Sequence, residues 1–212
     1  MPVSSPPVLP TSRNDSPRLG REDWLDAAFD AVVDGGFDKV RVLLLADKLG
    51  VTRGSFYWHF SDHAELIAAL LARWLAREQQ SRLQMQAEVS DDPLADLDRM
   101  LDAALAHAGA DLEHMRFELA LRDLGRRDAA VAGMLMEVDR TRLSLFEGKF
   151  LRVTQDGTQA AELAALFYLC VTGSMQALSR PVNPPQLKDY LKGVISRHLI
   201  HRPAQRKPSR RA

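Results

Sequence analysis

One short stretch near the N-terminus, ADKLGVTRGSFYWHF, concentrates side chains that can contact a polyanion. Arg53 is cationic, Thr52 and Ser55 carry hydroxyl groups, and Tyr57 and His59 combine a ring with a hydrogen-bonding group. Such groups can bond to phosphate oxygens or to base edges, and a ring can touch a thymine methyl group or a sugar. This combination indicates a segment that binds a polyanion through direct side-chain contacts.

Two short helices joined by a tight turn would present these side chains together. Ala46 supplies the small residue where the two backbones approach, Gly50 supplies the turn, and apolar residues on both sides can hold the corner. We therefore predict a helix-turn-helix over residues 42–60, with Thr52 as the N-cap of the second helix. That helix can enter a DNA major groove about 12 Å wide. The residues predicted to face outward are Thr52, Arg53, Gly54, Ser55, Tyr57, Trp58 and His59.

Aromatic residues near a helix end more often belong to a core, and this alternative applies to part of the stretch. Phe56 and Phe60 are expected to pack inside, and Trp58 taken alone would also be typical of a core. The interpretation of Tyr57 and His59 as exposed contact residues rests on the whole pattern rather than on their side-chain types.

The rest of the chain reads as helices separated by clear breaks, and no strand pattern or internal repeat appears. Ser61 is predicted to cap the long fourth helix, and Asp92 the fifth, with Pro93 in its first position. The predicted fold class is all-α, with about nine helices, at 22–33, 41–48, 52–60, 61–89, 92–109, 111–124, 127–150, 158–179 and 186–201.

Residues 21–75 resemble the DNA-binding segment of the TetR family of bacterial transcriptional regulators. The family pattern, a Gly-Val-Ser/Thr turn followed by a spaced Gly, Tyr and His-Phe and by a Leu on the next helix, has matches throughout. The matching residues are Gly50, Val51, Thr52, Gly54, Tyr57, His59, Phe60 and Leu66. The resemblance implies a ligand-responsive repressor that binds a palindromic, double-stranded DNA operator as a homodimer and is released by an unidentified small-molecule effector.

Carried onto this chain, the resemblance implies that Tyr57 and His59 touch the phosphate backbone, while residues 53–55 and Trp58 discriminate bases. Two positions depart from the family pattern. His63 stands where a lysine is usual, so a phosphate contact there would weaken as the imidazole loses its proton. The helix before the turn opens with Arg41, which can reach a phosphate, and carries leucines where polar residues are common.

The resemblance and the amino-acid composition together divide the chain into four parts. Residues 1–20 hold five prolines and four serines and are predicted to form a disordered arm, and 202–212 a basic disordered tail. Residues 21–66 are the predicted DNA-binding domain, and 67–201 a helical domain for ligand binding and dimerisation.

Apolar stripes on the last two predicted helices favour dimerisation, because two such helices from each of two chains would form a four-helix bundle. The alternative is that the stripes face the protein's own core. The residues predicted to form the interface are Leu163, Leu166, Phe167, Cys170, Ser174, Leu187, Leu191, Val194, Ile195 and His198.

The effector pocket is predicted among the middle helices. Methionines there do not decide the matter, since they fill irregular cores as readily as they line adaptable pockets. Charges alternate at helical spacing over 116–142, which is typical of a solvated face, although some could turn inward. The predicted pocket wall is Trp74, Met100, Ala104, His107, Met115, Leu119 and Phe167.

Charge and motif content argue against other classes of protein. The chain of 212 residues has 28 basic and 28 acidic residues, which disfavours a protein that coats nucleic acid by bulk charge. It has no phosphate-binding loop, nucleophile motif or paired-cysteine metal motif, so we expect neither an enzyme nor a cofactor. A single cysteine, the lack of a long apolar run and the lack of a signal peptide predict a cytoplasmic protein without a membrane span.

Overall fold

The structure, a computed structural model, describes residues 19–87, 89–110, 112–176, 189 and 193, and for 104–110 and 174–176 it describes the backbone alone. Within these residues the chain is all-α, as predicted, with eight α-helices and no strand. They are α1 Arg21–Gly35, α2 Val42–Leu49, α3 Arg53–Phe56, α4 His63–Ala87, α5 Pro93–Ala110, α6 Leu112–Gly125, α7 Ala129–Thr154 and α8 Gly157–Gln176, with a 3-10 turn at Phe37–Lys39. The predicted N-terminal arm, basic tail and ninth helix lie almost entirely outside the described residues.

The helix after the predicted turn is shorter than expected. It ends at Phe56 instead of Phe60, because the N–H groups of Tyr57 and Trp58 donate to the carbonyl oxygens of Gly54 and Ser55, three residues back, at 3.2 and 3.3 Å. Such bonds tighten the last turn of a helix and end it.

Asp62, and not Ser61, occupies the capping position of α4. Its Oδ1 accepts a hydrogen bond from the backbone N–H of Glu65 at 2.8 Å, and the Glu65 carboxylate accepts one from the N–H of Ser61 at 2.7 Å. A carboxylate is the stronger acceptor at this position, which explains why the aspartate displaces the serine. The cap of α5 is confirmed, because Asp92 accepts from the N–H of Leu94 at 2.9 Å and Pro93 is the first helical residue.

Two apolar cores hold the helices together. The first joins α1, α2, α3 and the first half of α4 to α6 and the start of α7. It runs across the predicted domain boundary after residue 66, since Leu66, Leu70 and Trp74 pack in the same cluster as Phe117 and Leu121. The second core joins α5, the end of α7 and α8.

A buried carboxylate ties α5 to α7 beside the second core. Asp96 is 2% exposed and accepts hydrogen bonds from Lys149 at 3.1 Å, from Arg99 at 2.9 Å, from the Ser90 N–H at 3.2 Å and from Arg152. Burial by itself raises the pKa of Asp96, but the bonds from Lys149 and Arg99 outweigh it and leave that pKa lowered. The carboxylate is therefore charged at neutral pH and compensates the buried ammonium group.

Replacing this carboxylate by an amide tests how much the cluster stabilises the fold. Asp96→Asn leaves Lys149 buried without its countercharge, so we expect a loss of about 3 kcal/mol in the free energy of unfolding at neutral pH. A carboxyl group with a lowered pKa stabilises the fold above its unfolded-state pKa, and that contribution disappears as the pH falls through its folded-state pKa. The difference between wild type and variant should therefore shrink in acid.

Urea unfolding followed by circular dichroism measures both effects. Asp91→Asn, an amide substitution at an exposed neighbour, is the matched control and should change little. Equal stability of Asp96→Asn and wild type at neutral pH would contradict the assignment.

Candidate nucleic-acid interface and ligand cavity

The corner between α2 and α3 has the geometry of a helix-turn-helix. Gly50 ends α2 in the left-handed region, at a φ of 68°, where a side chain would be strained. The next N–H, of Val51, donates to the carbonyl oxygen of Ala46 at 3.0 Å. Leu45 and Ala46 are buried beneath the corner, so α3 is held across α2 with one face free.

The aromatic residues divide between core and surface. Phe56 and Phe60 are buried and stacked with 5.4 Å between ring centroids, and Trp24 of α1 meets Phe56 edge-on at 5.3 Å. Tyr57 is 51% exposed and Trp58 is 88% exposed. The structure thus places the two phenylalanines inside, and the tyrosine and tryptophan on the outer face, as the sequence pattern predicts.

The polar residues of this face are also directed outward. Arg53 is exposed and donates to the Tyr57 hydroxyl oxygen at 3.0 Å, with its guanidinium carbon 5.8 Å from the centre of that ring. Thr52 occupies the N-cap position without a side-chain capping bond, so its hydroxyl group is not used by the helix. A Cβ added at Gly54 would meet the Thr52 Oγ1 at 3.6 Å, which is an ordinary contact. Packing within the chain therefore does not require a glycine at this position.

Three further residues are predicted to contact DNA, and they differ in how accessible their side chains are. Arg41 is exposed and donates to the Asp38 carbonyl oxygen at 3.3 Å, and His59 is partly buried. His63 departs from expectation, because its Nε2 donates to the Val40 carbonyl oxygen at 2.7 Å and so joins the start of α4 to the segment before α2. That nitrogen is therefore not available for the predicted phosphate contact.

The surface beside α3 also carries exposed leucines. Leu43 and Leu44, on the first turn of α2, are 60% and 49% exposed. Together with Tyr57 and Trp58 they give the reading face an apolar character that is uncommon on a free surface. We refer to this face, formed by the outward side chains of α2 and α3 and of the turn at 57–59, as the reading head.

Comparisons with known proteins agree with this geometry. The family described as "Bacterial regulatory proteins, tetR family" matches residues 25–70. The chain is 29% identical over 153 residues to the HTH-type transcriptional repressor BepR of Brucella suis, covering 68% of this chain and 71% of BepR. Residues 25–70 are therefore a TetR-family segment.

The chain is also similar to other regulators, over a shorter stretch or in fold alone. It is 38% identical to the class D tetracycline repressor of Escherichia coli over 60 residues, about 28% of the length of each chain. Among solved structures, a putative transcriptional regulator from Saccharomonospora viridis in complex with choline has a TM-score of 0.69 at 17% identity, covering 86% of this chain and 98% of that one. A TetR regulator from Haloarcula marismortui has a TM-score of 0.63 at 16% identity, covering 84% and 95%. These two likenesses show the shared fold.

A cavity of about 490 Å³ lies among α4, α5, α6, α7 and α8. Of the predicted wall residues, Trp74 and Met115 line it. Met100 and Phe167 lie instead in the second core, and Leu119 is partly buried off the cavity. The side chains of Ala104 and His107 are outside the described part of the chain.

Charged residues also line the cavity. The sequence leaves open which of the charges over residues 116–142 turn inward, and Glu118 and Arg142 do so. Glu78, on α4, also lines the cavity and is not among the predicted wall residues. Their common signal is a carboxylate or guanidinium group on the flank of an apolar stripe, and that pattern does not reveal which flank a neighbouring helix covers.

The outer face of α8 corrects part of the predicted dimer interface. Leu163 and Phe167 are 5% and 3% exposed because they point into the second core, which is the alternative considered for these stripes. Leu166, Leu169 and Cys170 are exposed on the other side of the helix. The side chain of Ser174 is not described, and Leu187, Leu191, Val194, Ile195 and His198 lie outside the described residues.

Among the described residues, no helix is long and apolar enough to cross a bilayer. No group of three or more histidine, cysteine, aspartate or glutamate side chains in the same part of the chain is placed to hold a metal ion.

Arg21 connects α1 to the far end of the reading head, and its replacement tests this support. It donates to the His59 carbonyl oxygen, pairs with Glu65 at 2.9 Å, and lies 4.0 Å above the ring of Phe60. Because these groups are partly exposed, we expect Arg21→Met to reduce the free energy of unfolding by only about 1 kcal/mol. Amide hydrogen exchange should meanwhile quicken at residues 53–60.

The control is Arg116→Met, which removes an exposed arginine from α6. Exchange at residues 53–60 should match wild type in this variant. If Arg21→Met also left that exchange unchanged, Arg21 would not support the head.

Proposed function

We propose that this protein is a sequence-specific DNA-binding transcriptional regulator, a repressor that a small molecule releases from its operator. The observation that carries the proposal is the reading head itself. Arg53, Thr52 and Tyr57 are exposed on one face of a helix whose other face is fixed by Phe56. The match to the TetR-family model and the similarity to BepR, a transcriptional repressor, support the same conclusion.

The reading head suits a short site better than a general coating of DNA. Tyr57, Trp58 and Leu43 offer apolar and hydrogen-bonding contacts, and the formal net charge of the whole chain is zero. Apolar groups can read thymine methyl groups, whereas non-specific binding depends on many cationic contacts with phosphates.

We further propose that two copies bind a palindrome through paired heads, with half-sites about 34–36 Å apart or a multiple of that. The exposed apolar side chains of Leu166 and Leu169 on α8 support a homodimer through this helix. A two-fold dimer would cover both of them with the same surface of a second copy.

Release by a small molecule would operate through α4. Its first half packs beneath the head through Leu66 and Leu70, and its second half lines the cavity from Trp74 to Met85. A ligand that fits the cavity better when α4 is displaced would favour a head spacing that does not match the operator.

Alanine substitution at the head tests DNA recognition. An operator is first selected from a random DNA pool, and affinity is then measured by fluorescence anisotropy at about 0.15 M salt. We expect the double variant Tyr57→Ala, His59→Ala to bind that operator roughly 100-fold more weakly, because two contacts in each half-site are lost.

The matched control removes exposed groups far from the head, in the double variant Arg116→Ala, Leu83→Ala. It should bind like wild type. Failure of selection to enrich any sequence, with binding lost at physiological salt, would instead indicate a non-specific DNA coat.

A charged substitution tests the dimer. Leu169→Asp places a carboxylate on the proposed interface and should yield a folded monomer in sedimentation velocity at micromolar concentration. Leu94→Asp, at a similarly exposed leucine on α5, should leave the dimer intact. A wild-type chain that sediments only as a monomer would refute the proposed assembly.

A further inference from the structure

The cavity combines an apolar wall with a compact group of charges. Its apolar residues come from all five helices and include an indole, a phenyl ring and three thioethers, those of Trp74, Phe146, Met85, Met115 and Met134. Such a wall suits the hydrophobic body of an organic molecule, whose polar part must then be matched by a small number of placed groups.

The charged group bridges three helices. Arg142 of α7 donates to Glu78 of α4 at 2.6 and 3.1 Å, and to Glu118 of α6 at 2.8 and 3.0 Å. Arg122 donates to Glu118 at 2.7 and 3.0 Å and to Asp139 at 2.8 and 3.1 Å. We call these five residues the ion network.

The ion network contains three carboxylates and only two guanidinium groups. Burial by itself raises the pKa of Glu118, but the hydrogen bonds and charges of Arg142 and Arg122 outweigh it and leave that pKa lowered. The pKa of Asp139 is likewise lowered, because its bond from Arg122 outweighs burial. Three formal negative charges face two positive ones, so the formal charge of the network is minus one.

This excess lies nearest the cavity at Glu78. Both oxygens of Glu118 accept from arginines, whereas the bonds of Glu78 to Arg142 use only its Oε2. The other charged lining residues, Arg77, Arg82 and Glu137, are exposed or partly exposed, so solvent screens them more strongly than it screens the network.

We propose that the cavity binds an amphipathic organic cation, whose charge lies beside Glu78 and whose hydrophobic body lies against the Trp74 and Phe146 wall. The proposal rests on the proposed function, because it names the class of molecule that releases the operator. A cation there balances the excess charge of the ion network.

The same contact gives the ligand a route to the reading head. Glu78 is twelve residues after Leu66, roughly 18 Å along α4 at about 1.5 Å per residue. A cation beside Glu78 competes with Arg142 for that carboxylate and so weakens the bond that fixes α4 to α7. A freed α4 can then move the head at its other end.

Two ions of nearly equal size and opposite charge test the ligand class. Tetraphenylphosphonium and tetraphenylborate present the same four phenyl groups, so the difference in their affinity reports charge preference and not hydrophobicity. Binding to the full-length protein is measured by isothermal titration calorimetry at about pH 8, where histidines are ordinarily neutral. We expect the cation to bind at least about tenfold more tightly than the anion.

Glu78→Gln should remove most of this preference, because it makes the ion network neutral. Glu147→Gln, the same change at an exposed position of α7 that does not line the cavity, should keep it. Equal affinity for the two ions in wild type, or tighter binding of the anion, would overturn the proposal. The second outcome would assign the cavity to anionic ligands held by Arg142.

Operator affinity in the presence of saturating tetraphenylphosphonium tests the regulatory step. We expect it to fall at least about tenfold in wild type, and to fall much less in Glu78→Gln. Operator binding without any ligand is measured separately, so that loss of the ligand proposal is distinguishable from loss of the DNA-binding proposal. Unchanged operator affinity at saturation would overturn the coupling through Glu78.

Discussion

Burial of Phe56 and Phe60 holds the short helix α3 in place. A helix of four residues has almost no stability of its own in water, so α3 cannot hold its shape by backbone hydrogen bonds alone. The two stacked rings fix it against Trp24 of α1 and against the start of α4. A rigid reading surface follows from this packing, because Tyr57 and Trp58 are adjacent to the buried rings and must face outward.

Helix α4 extends this constraint to the other half of the molecule. Arg73, near its middle, donates to Asp26 at 2.6 Å, Glu22 at 3.4 Å and the Leu25 carbonyl oxygen at 3.3 Å, which attaches α4 to α1. Past this point Glu78 is held by α7 through Arg142. Of these two attachments, the one through Glu78 borders the cavity. A ligand can act on α4 there without loosening its attachment to the head.

The sequence predicts the reading head well because the features that define it are local. Gly50, Phe56 and Phe60 lie within eleven residues, and their conformation and burial follow from glycine chemistry and helical spacing. The sequence predicts the α8 interface only in part, because an apolar stripe does not show which face of the helix packs against the core of its own chain. Leu163 was assigned to the wrong face for this reason. The ion network depends on residues up to 64 positions apart, and periodicity within a single helix cannot reveal such pairs.

The formal net charge of the chain is zero, but its cationic side chains differ in whether they pair with carboxylates. Around the head, Arg21, Lys48 and Arg73 are paired with carboxylates of neighbouring helices, so their charge mainly supports the fold. Arg41 and Arg53, on the reading side, have hydrogen bonds only to a carbonyl oxygen and a hydroxyl group in the described part of the chain. These neutral acceptors satisfy some donors without cancelling the positive charge. The head therefore keeps a small, localised positive potential within an apolar surface, which favours a defined site on DNA over general attraction to its phosphates.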